Sequence, residues 1–136
     1  MRDCVFCGIV AGSEPAEIVY SDDRAVAFLD TAQATRGHTL VVPRRHRSGL
    51  ADIEAGEAAA VMAAVVRVSG LLTRGLGAAG INLWHATGET AWQRVFHFHV
   101  HVIPRYTVTD LSPPWVGVEL PAASLRDLAD RIRRAR

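Results

Sequence analysis

The sequence predicts an α+β domain built on an antiparallel sheet. Three observations carry that expectation: short apolar runs joined by tight turns, one long Ala-rich segment with helical spacing, and no regular strand–helix alternation. With 136 residues the chain has the size of one domain, and no repeat, low-complexity tract or linker divides 1–136. A domain of that length buries roughly two-thirds of its unfolded surface, enough for a core without disulfides.

The elements follow in order. Apolar runs at 18–21 and 25–29 flank Asp22-Asp23-Arg24 and read as two strands joined by a tight turn. Gly37 punctuates the chain before a third strand over 38–42, which Pro43 ends. From about 53 to 76, Val61, Met62, Val65, Val66, Leu71 and Leu72 fall at helical spacings. Asp52 is the expected N-cap, Glu54 and Glu57 suit the first turns, and Gly75, Gly77 and Gly80 end the helix. Two more strands are expected over 81–84 and 98–103. After Pro113-Pro114, a terminal helix starts near Ala122 or Ser124.

Composition narrows the function classes. Hydrophobic residues make up 49% and charged residues 21%, an ordinary globular balance. A net charge of +1 provides no footprint for nucleic acid, which calls for a clustered basic surface. The basic runs Arg44-Arg45-His46-Arg47 and Arg131, Arg133, Arg134, Arg136 read as a solvated loop and a helix end. No apolar run is expected to span a bilayer, and Met-Arg-Asp-Cys does not open a signal peptide, so a cytoplasmic protein without a membrane partner is expected. In a reducing compartment Cys4 and Cys7 do not suit a disulfide; their Cys-x-x-Cys spacing suits metal ligation or redox chemistry.

The chemistry concentrates in His97-Phe98-His99-Val100-His101-Val102-Ile103. Alternation along a strand puts the three imidazoles on one face and the apolar residues on the other. Imidazole is a neutral nucleophile near pH 7, and a protonated neighbour can bind a phosphate oxygen as charge develops. Such positioning and charge neutralisation are what phosphoryl-type transfer requires. Three histidines in register also suit zinc, and on geometry alone the two readings stand level.

The pattern His-φ-His-φ-His-φ-φ, with φ apolar, resembles the signature of the histidine-triad (HIT) superfamily at all seven positions. Cys-Val-Phe-Cys-Gly-Ile-Val-Ala-Gly, Ala-Phe-Leu-Asp, Gly-His-Thr-Leu-Val-Val-Pro and His-Val-Ile-Pro-Arg occur in the order of its Hint-like branch, over roughly 3–106. The resemblance implies a five-stranded antiparallel sheet with one long helix and a C-terminal helix. It implies a nucleotide hydrolase or transferase acting on a nucleoside phosphoramidate or dinucleoside polyphosphate. In that scheme His99 attacks the α-phosphorus, the His97 carbonyl fixes its tautomer, His101 binds the α-phosphate and His38 supports the site. Asp30 holds the ribose hydroxyls, Phe6, Ile9 and Phe28 surround a purine base, and Gln93 contacts the phosphate region. The resemblance also implies structural zinc on Cys4, Cys7, His46 and His97, no metal for catalysis, and a homodimer formed through the long helix and a strand into one continuous sheet, with the Ala- and Val-rich stretch 58–68 of the helix offering a close-packing face.

Three positions depart from the family pattern. Trp92-Gln93-Arg94 stands where the family has Gly-Gln-Ser/Thr. Arginine stays charged and cannot replace a hydroxyl that protonates a leaving group, but it can neutralise phosphate, which would favour polyphosphate leaving groups. Trp92 for Gly rearranges the approaching backbone or narrows the pocket, unless the loop bulges outward. Ala86-Thr87-Gly88 lacks the Asn of Asn-x-Gly, and His85 beside it is expected to be exposed or merely packed. Two rival readings stand beside the enzyme: a nucleotide-binding module with little turnover, in which Trp92 and Arg94 blunt catalysis, and a zinc-stabilised interaction scaffold.

Overall fold

In the computed structural model residues 3–135 are described; Met1, Arg2 and Arg136, which belong to the terminal readings above, lie outside them. The order is α1 (Val5–Ala11), β1 (Ile18–Ser21), β2 (Ala25–Leu29), β3 (Thr39–Pro43), α2 (Ala55–Leu76), β4 (Gly80–Trp84), a 3-10 turn (Glu89–Ala91), β5 (Val100–Arg105) and α3 (Ala122–Arg133). The strands form one sheet in the order β1-β2-β3-β5-β4, with every pairing antiparallel. This is the α+β architecture expected, including the long helix and the C-terminal helix.

Strand periodicity divides the core in two. Ala25, Ala27, Val41 and Val102 pack against Val61, Ala64, Val65, Val68 and Leu72 of α2. On the other face Val26, Phe28, Leu40 and Val42 pack against Phe6 and Ile9 of α1. The central strands are therefore apolar on both faces, which is why β2 and β3 read as continuous hydrophobic runs. Asp22 closes the β1–β2 turn by accepting the N–H groups of Arg24 and Ala25, both at 2.8 Å.

Two helix expectations need correction. Asp52 does not cap α2; its carboxylate accepts the N–H groups of Ser48 and Gly49 at 2.9 Å and closes the preceding turn. Glu54 occupies the N-cap position, and Glu57 accepts the Glu54 N–H at 2.9 Å. Gly75 lies inside the helix, and Gly77, at φ 74°, ends it. Contrary to the bilayer expectation, α2 is long and apolar enough to cross a membrane by length and composition. One of its faces packs on the sheet, while Met62 (49% exposed) and Val66 (65%) lie outside it.

α1 was not anticipated from the sequence. Cys4 is its N-cap, its Sγ accepting the Cys7 N–H at 3.4 Å, and Gly12 in the left-handed region (φ 83°) ends it. This short helix covers the sheet face on which the histidines lie.

Candidate active site

Regular pairing in β5 begins at Val100, so His97 to His99 approach it as irregular chain, and the strand runs on to Arg105 rather than ending at 103. Alternation persists through the irregular part. Phe98 and Val102 join the α2 core, whereas Phe6 of α1 stands edge-on to both His97 (6.1 Å) and His99 (5.1 Å). The His99 and His101 ring centroids are 5.1 Å apart, and His38, just before β3, stands 5.1 Å from His101. Arrangement on one face is compatible with different neighbours because His97 lies beside the cysteines at the start of α1.

Hydrogen bonds determine which nitrogen carries each proton. The His97 carbonyl accepts from His99 Nδ1 at 2.7 Å, leaving His99 Nε2 with a lone pair. The Ala34 N–H donates to His38 Nδ1 at 3.1 Å, so His38 carries its proton on Nε2 and donates it to His101 Nδ1 at 2.8 Å. His101 is thereby left with Nε2–H as a donor. Asp30 accepts the Ala32 N–H through Oδ1, and its Oδ2 lies 3.6 Å from His38 Nε2 and 4.0 Å from His101 Nδ1.

Burial lowers the proton affinity of His38, His97 and His99 below the ordinary imidazole value. For His101, burial first, then the neighbouring His99 and His38, push it down to about 4. The expectation of a second, protonated imidazole is thus revised: His101 is neutral at pH 7 in the free protein, and donates through Nε2–H instead of carrying charge.

A cavity of about 1180 Å³ opens over these rings. Phe6, Ile9, Phe28, Asp30, Gln93, Arg94, His99 and His101 all line it. Arg94 is exposed and has no hydrogen-bond or ion-pair partner among the described residues. Gln93 is buried and its amide is fully engaged: Oε1 accepts the Gly88 N–H (2.8 Å), and Nε2 donates to the Ser48 (2.7 Å) and Val95 (3.1 Å) carbonyls. The sequence expectation of a phosphate contact gives way, for Gln93, to anchoring the loop before the triad.

Cys4, Cys7, His46 and His97 converge beneath this site, their ligand atoms all within 4.8 Å of one another. Both Cys4 Sγ and Cys7 Sγ lie 3.5 Å from His97 Nδ1, and Cys7 Sγ lies 3.3 Å from His46 Nδ1. Tetrahedral coordination with bonds of about 2.3 Å to sulfur and about 2.0–2.1 Å to nitrogen separates neighbouring ligands by roughly 3.5 Å, so these residues fit such a metal. His97 Nε2–H donates to the Pro43 carbonyl (2.9 Å), leaving Nδ1 free for the cluster. Asp30, His38 and His101 also converge, but there a hydrogen bond between His38 Nε2 and His101 Nδ1 engages the two ring nitrogens that face Asp30. The loop expected to be solvated holds His46 in the cysteine cluster and Arg47 in ion pairs with Glu54 (3.1 Å) and Glu57 (2.8 Å).

Sequence reading missed His85. It is half-buried, Nδ1–H donates to the His99 carbonyl at 2.8 Å, and Nε2 accepts from the Thr87 hydroxyl at 2.5 Å. Its ring lies 4.5 Å from that of Phe98, so it fixes the triad backbone from the side opposite the cavity. No sequence signal marks it beyond its position next to the altered Asn-x-Gly segment.

Comparison with known proteins agrees with this geometry. The family model of the HIT domain matches residues 11–108. The crystal structure of SMU.412c from Streptococcus mutans UA159 superposes with a TM-score of 0.93 at 38% identity, covering 99% of this chain and 86% of that one. A Zn-bound histidine triad family protein from Mycobacterium smegmatis superposes with a TM-score of 0.78 at 35% identity, covering 99% of each chain. Adenylylsulfatase HINT3 of Arabidopsis thaliana is 36% identical over 104 residues, 76% of this chain but 53% of that protein. The matched span contains His38, Asp30 and the whole histidine triad, and the chain belongs to the HIT domain family.

Proposed function

We propose that this protein is a hydrolase or transferase that releases a purine nucleoside monophosphate from a nucleoside phosphoramidate or dinucleoside polyphosphate. The observation that carries the reading is the 2.7 Å bond from His99 Nδ1–H to the His97 carbonyl, which leaves Nε2 as a neutral nucleophile in the cavity. Its attack on the α-phosphorus forms a phosphorus–nitrogen bond as the bond to the leaving group breaks, and a departing amine takes its proton from solvent. Water then cleaves that nucleotidyl-histidine bond, giving the monophosphate and restoring His99. His101 Nε2–H is available to a phosphate oxygen, with His38 orienting its ring. Asp30 faces the cavity with an acceptor for the ribose diol, and Phe6, Ile9 and Phe28 supply apolar walls for the base. Arg94, unpaired at the same wall, suits an anionic leaving group.

The cysteine–histidine cluster fits structural zinc, which would tie α1 and the 44–48 loop to the triad backbone. Catalysis needs no metal in this reading. The exposed Met62 and Val66 face of α2 suits a homodimer, and thiolate ligands suit the reducing cytoplasm.

Incubation of wild type and His99→Ala with adenosine 5′-phosphoramidate and a diadenosine polyphosphate tests the reading. Release of adenosine monophosphate (AMP) by wild type alone supports it. No release from either substrate, or equal release by the variant, refutes it.

A further inference from the structure

Three indoles form a ladder at the edge of the cavity. Trp84 of β4 is paired in register with His101 on β5. Trp92 stacks on Trp84 at 6.5 Å and 18°, and Trp115 stacks on Trp84 at 6.1 Å and 23°. Trp84 is thus the middle rung, and Trp92 lines the cavity that holds His99 and His101.

Trp92 occupies a costly position. At φ 72° it is the one non-glycine residue with positive φ among the described residues. Its N–H is tied to the Glu89 carbonyl at 2.9 Å, and the anchored Gln93 follows it, so the backbone holds the conformation. Core burial does not offset the strain, because the residue is 70% exposed. Strain of this kind concentrates at ligand clamps.

The ends of the site differ. Phe6 flanks His97 and His99, whereas Trp84 flanks His101 across the strand pair. In-line displacement sends the leaving group away from the attacking His99 nitrogen. A substrate with its base against Phe6 and Phe28 therefore directs its leaving half away from His99, within a cavity that Trp84, Trp92 and Arg94 also line.

We propose that the exposed surface of Trp92 receives an aromatic ring of the leaving half, so that Trp92 selects aromatic over aliphatic leaving groups. This rests on the reaction proposed above. It is a claim about specificity: the bond formed and the bond broken stay the same for both classes.

The test uses two adenosine 5′-phosphoramidates with the same AMP half, one of phenethylamine and one of n-butylamine, and reads the ratio of their kcat/KM values. Base–aromatic stacking predicts that wild type favours the aryl substrate by about fivefold or more. Trp92→Gly, which suits the left-handed backbone, is expected to bring the ratio to about one, and Trp92→Phe to retain most of it. A wild-type ratio near one, or a wild-type ratio surviving in Trp92→Gly, overturns the subsite. Failure of wild type to release AMP from either substrate overturns the reaction itself and the subsite with it.

Discussion

Replacing His85 with phenylalanine removes two hydrogen bonds beneath the proposed nucleophile. The new ring preserves the packing on Phe98 but removes the donor at 2.8 Å from the His99 carbonyl and the acceptor of the Thr87 hydroxyl. Leaving a shielded carbonyl without its donor costs about 1–3 kcal/mol, so the urea midpoint is expected to fall by roughly 1 M. The larger consequence is for catalysis, since His99 is positioned by its own backbone and the His97 carbonyl. Misplacement by about 1 Å costs up to ~100-fold, so kcat for AMP release is expected to fall ~10- to 100-fold. KM is expected to change little, because Phe6, Ile9, Phe28 and Asp30 are untouched. His85→Asn places an amide nitrogen where Nδ1 lies and is expected to recover most of the rate. A phenylalanine variant within about twofold of wild type in kcat, or an asparagine variant no better than phenylalanine, would refute a positioning role.

Metal analysis of purified protein is expected to find about one zinc per chain, and stripping it, or Cys4→Ser, to cost ~3 kcal/mol or more, roughly 10 °C in Tm; full metal loss without a change in Tm contradicts a structural site. His101, held at about 4 against an unfolded value near 6.5, adds stability that is complete above pH 6.5 and lost as pH falls toward 4. The unfolding free energy of wild type relative to His101→Asn should therefore drop by about 3 kcal/mol between pH 7 and 4, whereas parallel pH profiles would show no such linkage. On α2, Leu72→Ala (6% exposed) is expected to cost about 2–5 kcal/mol. Val66→Arg, on the opposite face, tests the proposed homodimer: light scattering is expected to give a dimeric wild type and a folded, monomeric variant, and a monomeric wild type or an unchanged variant mass would contradict a dimer through this face.

Legibility in the sequence followed the strength of local pattern. β1 and β2 have the bounds their apolar runs indicate, because each run is short and flanked by polar turn residues. β5 outran its expected end because Pro104 is tolerated there: β3 pairs only as far as Val102, so Pro104 has a strand neighbour on one side alone. α1 was missed because seven residues scarcely establish a helical period, and its cap is a cysteine rather than a usual capping residue. Asp52 looked like a cap by residue type, but closing the tight turn at 48–49 engages the same carboxylate. In the site, His38, Asp30, His99 and His101 were marked by motif, and the structure brings them together. His85, whose role depends on a carbonyl fourteen residues away, had no pattern to reveal it. The neutrality of His101 was equally hidden, since its first cause is burial, and of the imidazoles that add to it only His99 is near in sequence.

The proposed reaction turns on a covalent bond between His99 and phosphorus. Rapid acid-free quenching of wild type with adenosine 5′-phosphoramidate, followed by peptide mass spectrometry, tests it most directly. An adenylyl group is expected on the peptide containing His99, formed and lost at rates that support turnover, and absent from His99→Ala. AMP release with no adduct at any time, in a quench that preserves phosphorus–nitrogen bonds, or an adduct on a different histidine, would contradict it.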